Sequence, residues 1–139
     1  MNLTDLNKLI NSELTTKIKN TNIKNNELSI DVKVENLYQV ILFLKINEKC
    51  KFKQLIDIAA ADYPDEESRF EICYLFLSHE NNLRIKIIIN FNLDEKIPSI
   101  TKLFPSANWM EREVFDMYGI EFKDHPDLRR ILTDYGFEG

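Results

Sequence analysis

The fold of this chain is decided by residues 69–89, which read RFEICYLFLSHENNLRIKIII. Apolar side chains recur at every second position in 69–78, and the same alternation returns in 83–89. A period of two places successive side chains on opposite faces of a strand, so both runs are predicted to be strands. The polar turn at 79–82 between them predicts an antiparallel β-hairpin.

The first strand of this hairpin, 69–78, is apolar on both faces. One face carries the aromatic and aliphatic series that begins at Phe70, and the other carries Cys73, Leu75 and Leu77. Strands that are buried on both faces show such continuous apolar runs. We therefore expect a central strand that is covered on both sides.

Helices and further strands are predicted before the hairpin. Apolar residues at helical spacing predict a helix over 4–18, capped by Thr4, and a second helix over 36–47. Polar and apolar residues alternate over 27–34, which predicts a half-buried strand, and 51–60 is a further strand candidate.

The remaining segments are predicted to be loops and two more helices. The Asn-rich stretch Thr21–Asn26 and the acidic run 61–67 are expected to be loops. Pro98 suits the first turn of a short helix that runs to Leu103. A last helix is predicted over about 107–117, ending at Gly119.

These elements together predict an α+β fold, a mostly antiparallel sheet with packed helices and an irregular C-terminal docking segment. Residues 1–108 form the α+β part, and 109–139 form a helix and an extended docking tail of the same single domain. A chain of 139 residues is long enough to bury a core of its own.

Composition narrows the class of function. The formal net charge is −5, which argues against nucleic acid as a partner because nucleic-acid binding needs concentrated positive charge. No apolar run approaches the roughly 20 residues of a membrane-spanning helix, so no direct membrane span is expected. The opening MNLTDLNKLI has no basic region followed by an apolar one, so no secretory signal is expected.

Cysteines and histidines are few and scattered. Cys50 and Cys73 form no Cys-x-x-Cys pair, and we expect two reduced thiols that pack as small hydrophobes. His79 and His125 stand apart from each other and from both thiols. Because a metal site needs three or four converging ligands, no metal site is expected.

The C-terminal third differs from the rest of the chain in composition. All three glycines (Gly119, Gly136 and Gly139) lie in it. From Glu111 onward arginine outnumbers lysine, and aromatic side chains accompany the arginines. Arginine and aromatic residues are enriched at protein interfaces, so this part could lie across another protein. Equally, the tail could fold back on its own sheet with its arginines paired internally.

Acidic residues and a histidine in the same region raise the alternative of an active site. Glu111, Glu113 and Asp116 are clustered acids on the predicted last helix. The two glutamates are two positions apart and point about 200° away from each other, so they are not a facing acid–base pair. His125 lies near Asp127, but no serine or cysteine nucleophile in a suitable turn accompanies them. A free-standing small enzyme is therefore not favoured.

Residues 111–132, EREVFDMYGIEFKDHPDLRRIL, resemble the motif of the C-type subunit of respiratory complex I, the 30 kDa subunit in mitochondrial naming. Weaker family-like words lie upstream, among them Pro98-Ser99 and the stretch 103–109. The resemblance extends over roughly 28–139. Related subunits also occur in membrane-bound hydrogenases and ferredoxin-dependent complexes, which is the alternative assignment.

The resemblance implies a scaffold role and no cofactor in this chain. Flavin, iron–sulfur clusters and quinone would lie in partner subunits, chiefly the large quinone-pocket subunit and cluster-bearing neighbours of the hydrophilic arm. Partner-interface residues are then expected along the motif and the tail: Glu111, Arg112, Glu113, Asp116, Gly119, His125, Pro126, Leu128, Arg129, Arg130, Tyr135 and Phe137. Arg112, Arg129 and Arg130 would form ion pairs, and His125 would be a hydrogen-bonding anchor.

Two departures from the family pattern bear on the tail. Asp124 stands where many bacterial members have glycine, and Asp tolerates left-handed backbone better than most residues, so the turn can survive. The chain ends at Gly139, where relatives usually continue, so part of the docking surface could be missing or could be supplied by another chain. Abundant Asn, Ile and Lys suggest an AT-rich genome. A mitochondrially encoded protein on the matrix side of the inner membrane is expected, with the cytoplasmic face of a bacterial membrane as the alternative.

Overall fold

The structure is a computed structural model of the chain, and it describes residues 1–126. The predictions for Leu128, Arg129, Arg130, Tyr135 and Phe137 lie outside the described residues. No helix among residues 1–126 combines the length and the apolar character needed to cross a bilayer.

Three α-helices, one 3₁₀ helix and seven strands make up the described part. In chain order they are α1 (Leu3–Glu13), β1 (Ile18–Lys24), β2 (Glu27–Val32), the 3₁₀ helix (Val34–Asn36), α2 (Leu37–Ile46), β3 (Gln54–Asp62), β4 (Phe70–Ser78), β5 (Leu83–Phe91), β6 (Ile97–Pro98), α3 (Ala107–Tyr118) and β7 (Phe122–Lys123).

A five-stranded sheet in the order β1-β2-β5-β4-β3 organises the fold. Three of its pairings are antiparallel, and only β2 and β5 run parallel. The predicted β4–β5 hairpin is present, with Ile72 opposite Ile89 and Tyr74 opposite Ile87. The predicted α+β class with a mostly antiparallel sheet is therefore confirmed.

One face of the sheet carries the core. Alternate residues of β2, β4 and β5 are fully buried there, as the period-two pattern requires. Helices α1 and α2 supply the opposite wall, with Leu6 and Ile10 from α1 and Leu37 and Leu44 from α2 all buried in the same cluster. Each such side chain contributes about 1.5–3 kcal/mol by leaving water.

The other face of the sheet corrects one prediction. Cys73, Leu75 and Leu77 of β4 are only half-buried, so β4 is an interior strand but is not covered on both sides. An apolar run by itself cannot tell a strand covered on two faces from one whose second face remains partly open.

Two N-terminal predictions were wrong. The first helix ends at Glu13 and not at residue 18, and its cap is Asn2, whose Oδ1 accepts a 2.9 Å hydrogen bond from the Asp5 amide. Part of the expected loop 21–26 belongs to strand β1, which pairs with β2 across a turn at Asn25 and Asn26. Both asparagines have positive φ, 54° and 60°, as the two central residues of a type I′ hairpin turn do.

The short helix predicted over 98–103 is also absent. Pro98 belongs to strand β6, which pairs in parallel with β7 through Ile97 opposite Phe122. Hydrogen-bonded turns follow it, from Leu103 and Phe104 to the Ile100 carbonyl. Pro98 can occupy this strand because proline is tolerated where no ladder donor is needed.

Candidate functional site

Helix α3 carries the first half of the motif and packs one face against the sheet. Ala107, Glu111 and Val114 are buried at positions i, i+4 and i+7, which is the spacing of a single helical face. The helix ends at Gly119 as predicted, in the left-handed conformation with φ 72°. The Tyr118 hydroxyl donates a 3.2 Å hydrogen bond to the Ala60 carbonyl and ties the helix end to β3.

The Glu111 carboxyl is fully buried and satisfied by its own chain. Its Oε1 accepts a 2.6 Å hydrogen bond from the Ser99 hydroxyl, and its Oε2 accepts a 2.9 Å bond from the Ile100 amide. The carboxyl therefore fastens α3 to the turn that follows β6.

Burial raises the pKa of Glu111 to about 7, while the hydrogen bonds from Ser99 and Ile100 act in the opposite direction. Burial prevails because a charge in a poorly solvated interior loses more hydration than two hydrogen bonds return. Tyr74 of β4 lies within electrostatic reach, and burial followed by the Glu111 charge raises its pKa well above the usual value. The Tyr74 hydroxyl is buried with no hydrogen-bond partner among residues 1–126.

His125, from the far end of the motif, packs beside Glu111. We call Glu111, His125 and the groups that contact them the inner cluster. Its Nε2 lies 3.0 Å from the Asn108 carbonyl oxygen and 3.9 Å from Glu111 Oε1, and its side chain is fully buried. The expectation of a hydrogen-bonding anchor therefore agrees with the geometry. Asp124, just before it, has φ 66°, so the predicted left-handed turn is formed without glycine.

The outer face of α3 is exposed and mixed in character. Trp109 is 61% exposed, and the Arg112 guanidinium lies 5.2 Å from the centre of its ring. The Nε of Arg112 is buried without a hydrogen bond, and Arg112 forms no ion pair with any of residues 1–126. Glu113 and Met117 are exposed on the same side. Since cation–π stacking leaves the planar N–H groups available, this face can still bind a carboxylate.

The predicted interface residues thus divide into an inner and an outer set. Glu111 and His125 meet inside the domain, whereas Arg112, Glu113 and Asp116 lie along the outer side of α3. Gly119 ends α3 in the left-handed conformation, and Pro126 is the last described residue. Their part in a partner interface stays a prediction, and Glu111 would act through the position of α3.

Sequence reasoning missed Ser99, Tyr74 and Asn108 as members of the inner cluster. Ser99 had a signal, since Pro98-Ser99 was already a family-like word. Tyr74 and Asn108 also lay in family-like words, Tyr74-x-x-Leu77 and 103–109, but neither word indicated a polar cluster. No group of three or more potential His, Cys, Asp or Glu metal ligands gathers anywhere in the described range 1–126.

Comparison of the sequence with known proteins gives one family profile and many relatives that match it. The profile described as "Respiratory-chain NADH dehydrogenase, 30 Kd subunit" matches residues 30–139. The C-type subunit of the NADH-quinone oxidoreductase of Rhodospirillum rubrum is 45% identical over 137 residues, which covers 99% of this chain and 64% of that protein. Its namesake in Ruegeria pomeroyi is 53% identical over 113 residues, covering 81% of this chain and 56% of that protein. This chain therefore spans less than two thirds of the length of either relative.

A solved structure shares the fold at low sequence identity. A chain in the structure of the membrane-bound sulfane sulfur reductase, an archaeal respiratory membrane complex, matches with a TM-score of 0.77 and 20% identity. The match covers 90% of this chain and 72% of that chain. At this identity the likeness concerns the fold alone. The profile match over 30–139 and the similarity to both bacterial relatives show that this chain belongs to the 30 kDa subunit family of respiratory-chain NADH dehydrogenases.

Proposed function

We propose that this chain is a non-catalytic scaffold subunit in the peripheral arm of an NADH–quinone oxidoreductase. In this role it supports electron transfer from NADH to quinone, coupled to proton pumping, by docking the subunits of the quinone module. The observation that carries the proposal is the family match over 30–139, together with relatives that bear the name of the C-type subunit of that enzyme.

The geometry of the motif supports a structural role. The hydrogen bonds of Glu111 go to Ser99 and Ile100, and His125 returns to the Asn108 carbonyl, so the motif organises its own backbone. The outward Arg112 and Trp109 are then the described residues best suited to contact a partner, because arginine and tryptophan dominate interface energetics.

Cofactors and partners belong to the same proposal. Flavin, iron–sulfur clusters and quinone are held by partner subunits, and the large quinone-pocket subunit with its cluster-bearing neighbours is the docking target. The named relatives are bacterial, which supports the cytoplasmic face of a bacterial membrane. The matrix side of the mitochondrial inner membrane remains the other proposed location.

The test is purification from membranes in mild detergent, followed by mass spectrometry of the companions and an assay of piericidin-sensitive NADH:quinone reduction. We expect a large assembly that contains a flavin-bearing NADH module. Arg112→Ala should weaken retention of the chain about tenfold, because truncating an interface arginine costs on the order of 1–2 kcal/mol. Lys8→Ala, an exposed change on α1, is the matched control and should leave retention unchanged.

A related membrane-bound hydrogenase or ferredoxin-dependent complex is the second candidate. The observation in its favour is the fold shared with a chain of another respiratory membrane complex. Companions without a flavin-bearing NADH module would favour it. A chain that purifies alone and turns over substrate would contradict both assignments and revive the small-enzyme hypothesis.

A further inference from the structure

The face of the sheet that points away from α1 and α2 carries an apolar patch. We call it the outer stripe, and it consists of Ala59, Cys73, Leu75, Leu77 and Ile88. The register makes it continuous, because Cys73 lies opposite Ala59 on β3 and opposite Ile88 on β5. Its members are half-buried or exposed and do not belong to the core cluster. No helix among residues 1–126 covers them, whereas all three α-helices bury residues in the core.

Charged side chains of both signs flank this stripe, and the two cations are Lys86, opposite Leu75, and Arg84, opposite Leu77. The pKa of the Cys73 thiol is raised to about 11, chiefly by burial, and Lys86, Glu71, Glu27 and Asp57 all lie close enough to influence it. Lys86 is already paired with Glu27 at 3.1 Å. Asp57 and Glu71 form no ion pair with any of residues 1–126.

The stripe continues into an acidic cleft at one end. This cleft has a volume of about 420 Å³ and is lined by Tyr63, Glu66, Glu67, Ser68, Glu71 and Asn90. Glu71 and Asn90 lie opposite each other in the β4–β5 pairing, so the cleft begins where the stripe ends. Apolar contact area and unpaired negative charge are therefore contiguous on one surface.

We propose that the outer stripe and its acidic cleft form a docking surface for a basic, partly apolar segment of a neighbouring subunit. Apolar side chains of that segment lie on Leu75 and Ile88, and its lysine or arginine side chains pair with Asp57 and Glu71 and enter the cleft. The inference rests on the proposed function only in taking the partner from the same assembly.

Charge complementarity favours a basic segment over a second copy of this chain as the occupant of the outer stripe. A second copy of the chain would bring the same carboxylates together, and each copy carries a net charge of −5. Like charges that face each other across an interface disfavour association. A basic segment would instead neutralise Asp57 and Glu71, which form no ion pair with any of residues 1–126. Its apolar residues would also cover a patch of the kind that marks interaction sites when exposed.

The test uses the full chain in the assembly purified from membranes. A benzophenone amino acid replaces Leu75 in one preparation and Leu93 in another; Leu93 is 50% exposed and lies beyond the end of β5, outside the stripe. Illumination followed by peptide mass spectrometry should give several-fold more cross-linking from position 75. The captured peptide should belong to a different subunit and contain more Lys and Arg than Asp and Glu.

Charge reversal provides a second measurement that does not touch the apolar stripe. Asp57→Lys combined with Glu71→Lys should weaken retention of the chain in the assembly about tenfold or more, because the segment then meets like charge. Glu13→Lys, an exposed reversal at the end of α1, is the matched control and should have no such effect. Thermal melts of the isolated variants should show that both remain folded.

Several results would overturn the inference. Cross-linking at position 75 no stronger than at 93, an acidic captured peptide, a cross-link to a second copy of this chain, or unchanged retention of the double reversal would each do so. If the chain still purifies with the flavin-bearing assembly in those cases, the proposed function stands and only this docking surface is rejected. If the unaltered chain joins no such assembly, the proposed function falls and this partner falls with it.

Discussion

The Ser99 hydroxyl donates a 2.6 Å hydrogen bond to the Glu111 carboxylate, and the two residues are buried together between β6 and α3. This bond fastens the motif helix to the segment before it, and His125 closes the cluster from the segment after it. The segment after β6, helix α3 and the segment after β7 thus share one polar centre. Buried polar clusters of this kind specify a single arrangement because each member would be costly to leave unpaired.

The burial of Glu111 predicts a pH-dependent stability. Its pKa is raised from 4.5 to about 7 in the folded chain, so folding favours the protonated acid. This contribution is fully present below pH 4.5 and is lost as the pH rises through 7. We expect the free energy of unfolding to fall by about 3 kcal/mol over that window, measured by denaturant titration at several pH values.

Glu111→Gln is the decisive variant for this effect. The amide stays neutral at every pH and still offers a carbonyl oxygen to Ser99 or Ile100, so the decline should disappear. Glu113→Gln, an exposed change two residues away, should leave the decline in place. A decline of the same size in Glu111→Gln would contradict the assignment to this carboxyl.

Tyr74 and Tyr118 are expected to respond in opposite ways to loss of the hydroxyl. The Tyr74 hydroxyl is buried without a partner among residues 1–126, so Tyr74→Phe should leave stability unchanged or raise it by about 1 kcal/mol. The Tyr118 hydroxyl donates to the Ala60 carbonyl, so Tyr118→Phe should cost about 1 kcal/mol. Thermal melts of both variants give the comparison, and a marked loss in Tyr74→Phe would reveal a partner for its hydroxyl.

The backbone conformation at Gly119 favours glycine, whereas steric crowding around a side chain does not. Its φ is 72°, and a Cβ added there would meet no atom within 4 Å. Gly119→Ala should therefore cost about 1 kcal/mol, the strain of a left-handed alanine. Gly119→Asn should cost less, because asparagine tolerates this region. Equal losses in both variants, measured by denaturant titration, would point to a steric cause instead.

The two cysteines should alkylate slowly while the chain is folded. Burial raises the pKa of both Cys50 and Cys73 to about 11, so almost no thiolate is present near pH 7.5. Iodoacetamide labelling followed by mass spectrometry should be much faster in urea than in buffer. Cys73, which is only half-buried, should label before Cys50, which is fully buried. Rapid labelling of Cys50 in buffer would contradict its burial.

Strong local patterns predicted the central elements correctly. The alternation over 69–89 predicted the β4–β5 hairpin, and the helical spacing near 36–47 predicted α2 almost to its ends. The predictions for these segments were correct because their periodic apolar patterns extend over many residues and their turns contain typical turn residues. Strand β1, IKNTNIK, was not predicted because it shows no apolar alternation. It is a mostly polar strand at the sheet edge and is held by hydrogen bonds to β2. The Asn25-Asn26 pair was its only local signal.

By itself, the sequence determined the α+β class, the hairpin, the end of α3 at Gly119 and the family, because each depends on residues close together in the chain. Tertiary structure alone decided that Glu111 lies inside while Glu113, two residues on, faces water. It also decided that one face of β4 is covered while Cys73, Leu75 and Leu77 stay partly open. These outcomes depend on what packs against each side chain from distant parts of the chain. Periodicity identifies a face that can be buried, but only the packed fold determines whether another element covers it.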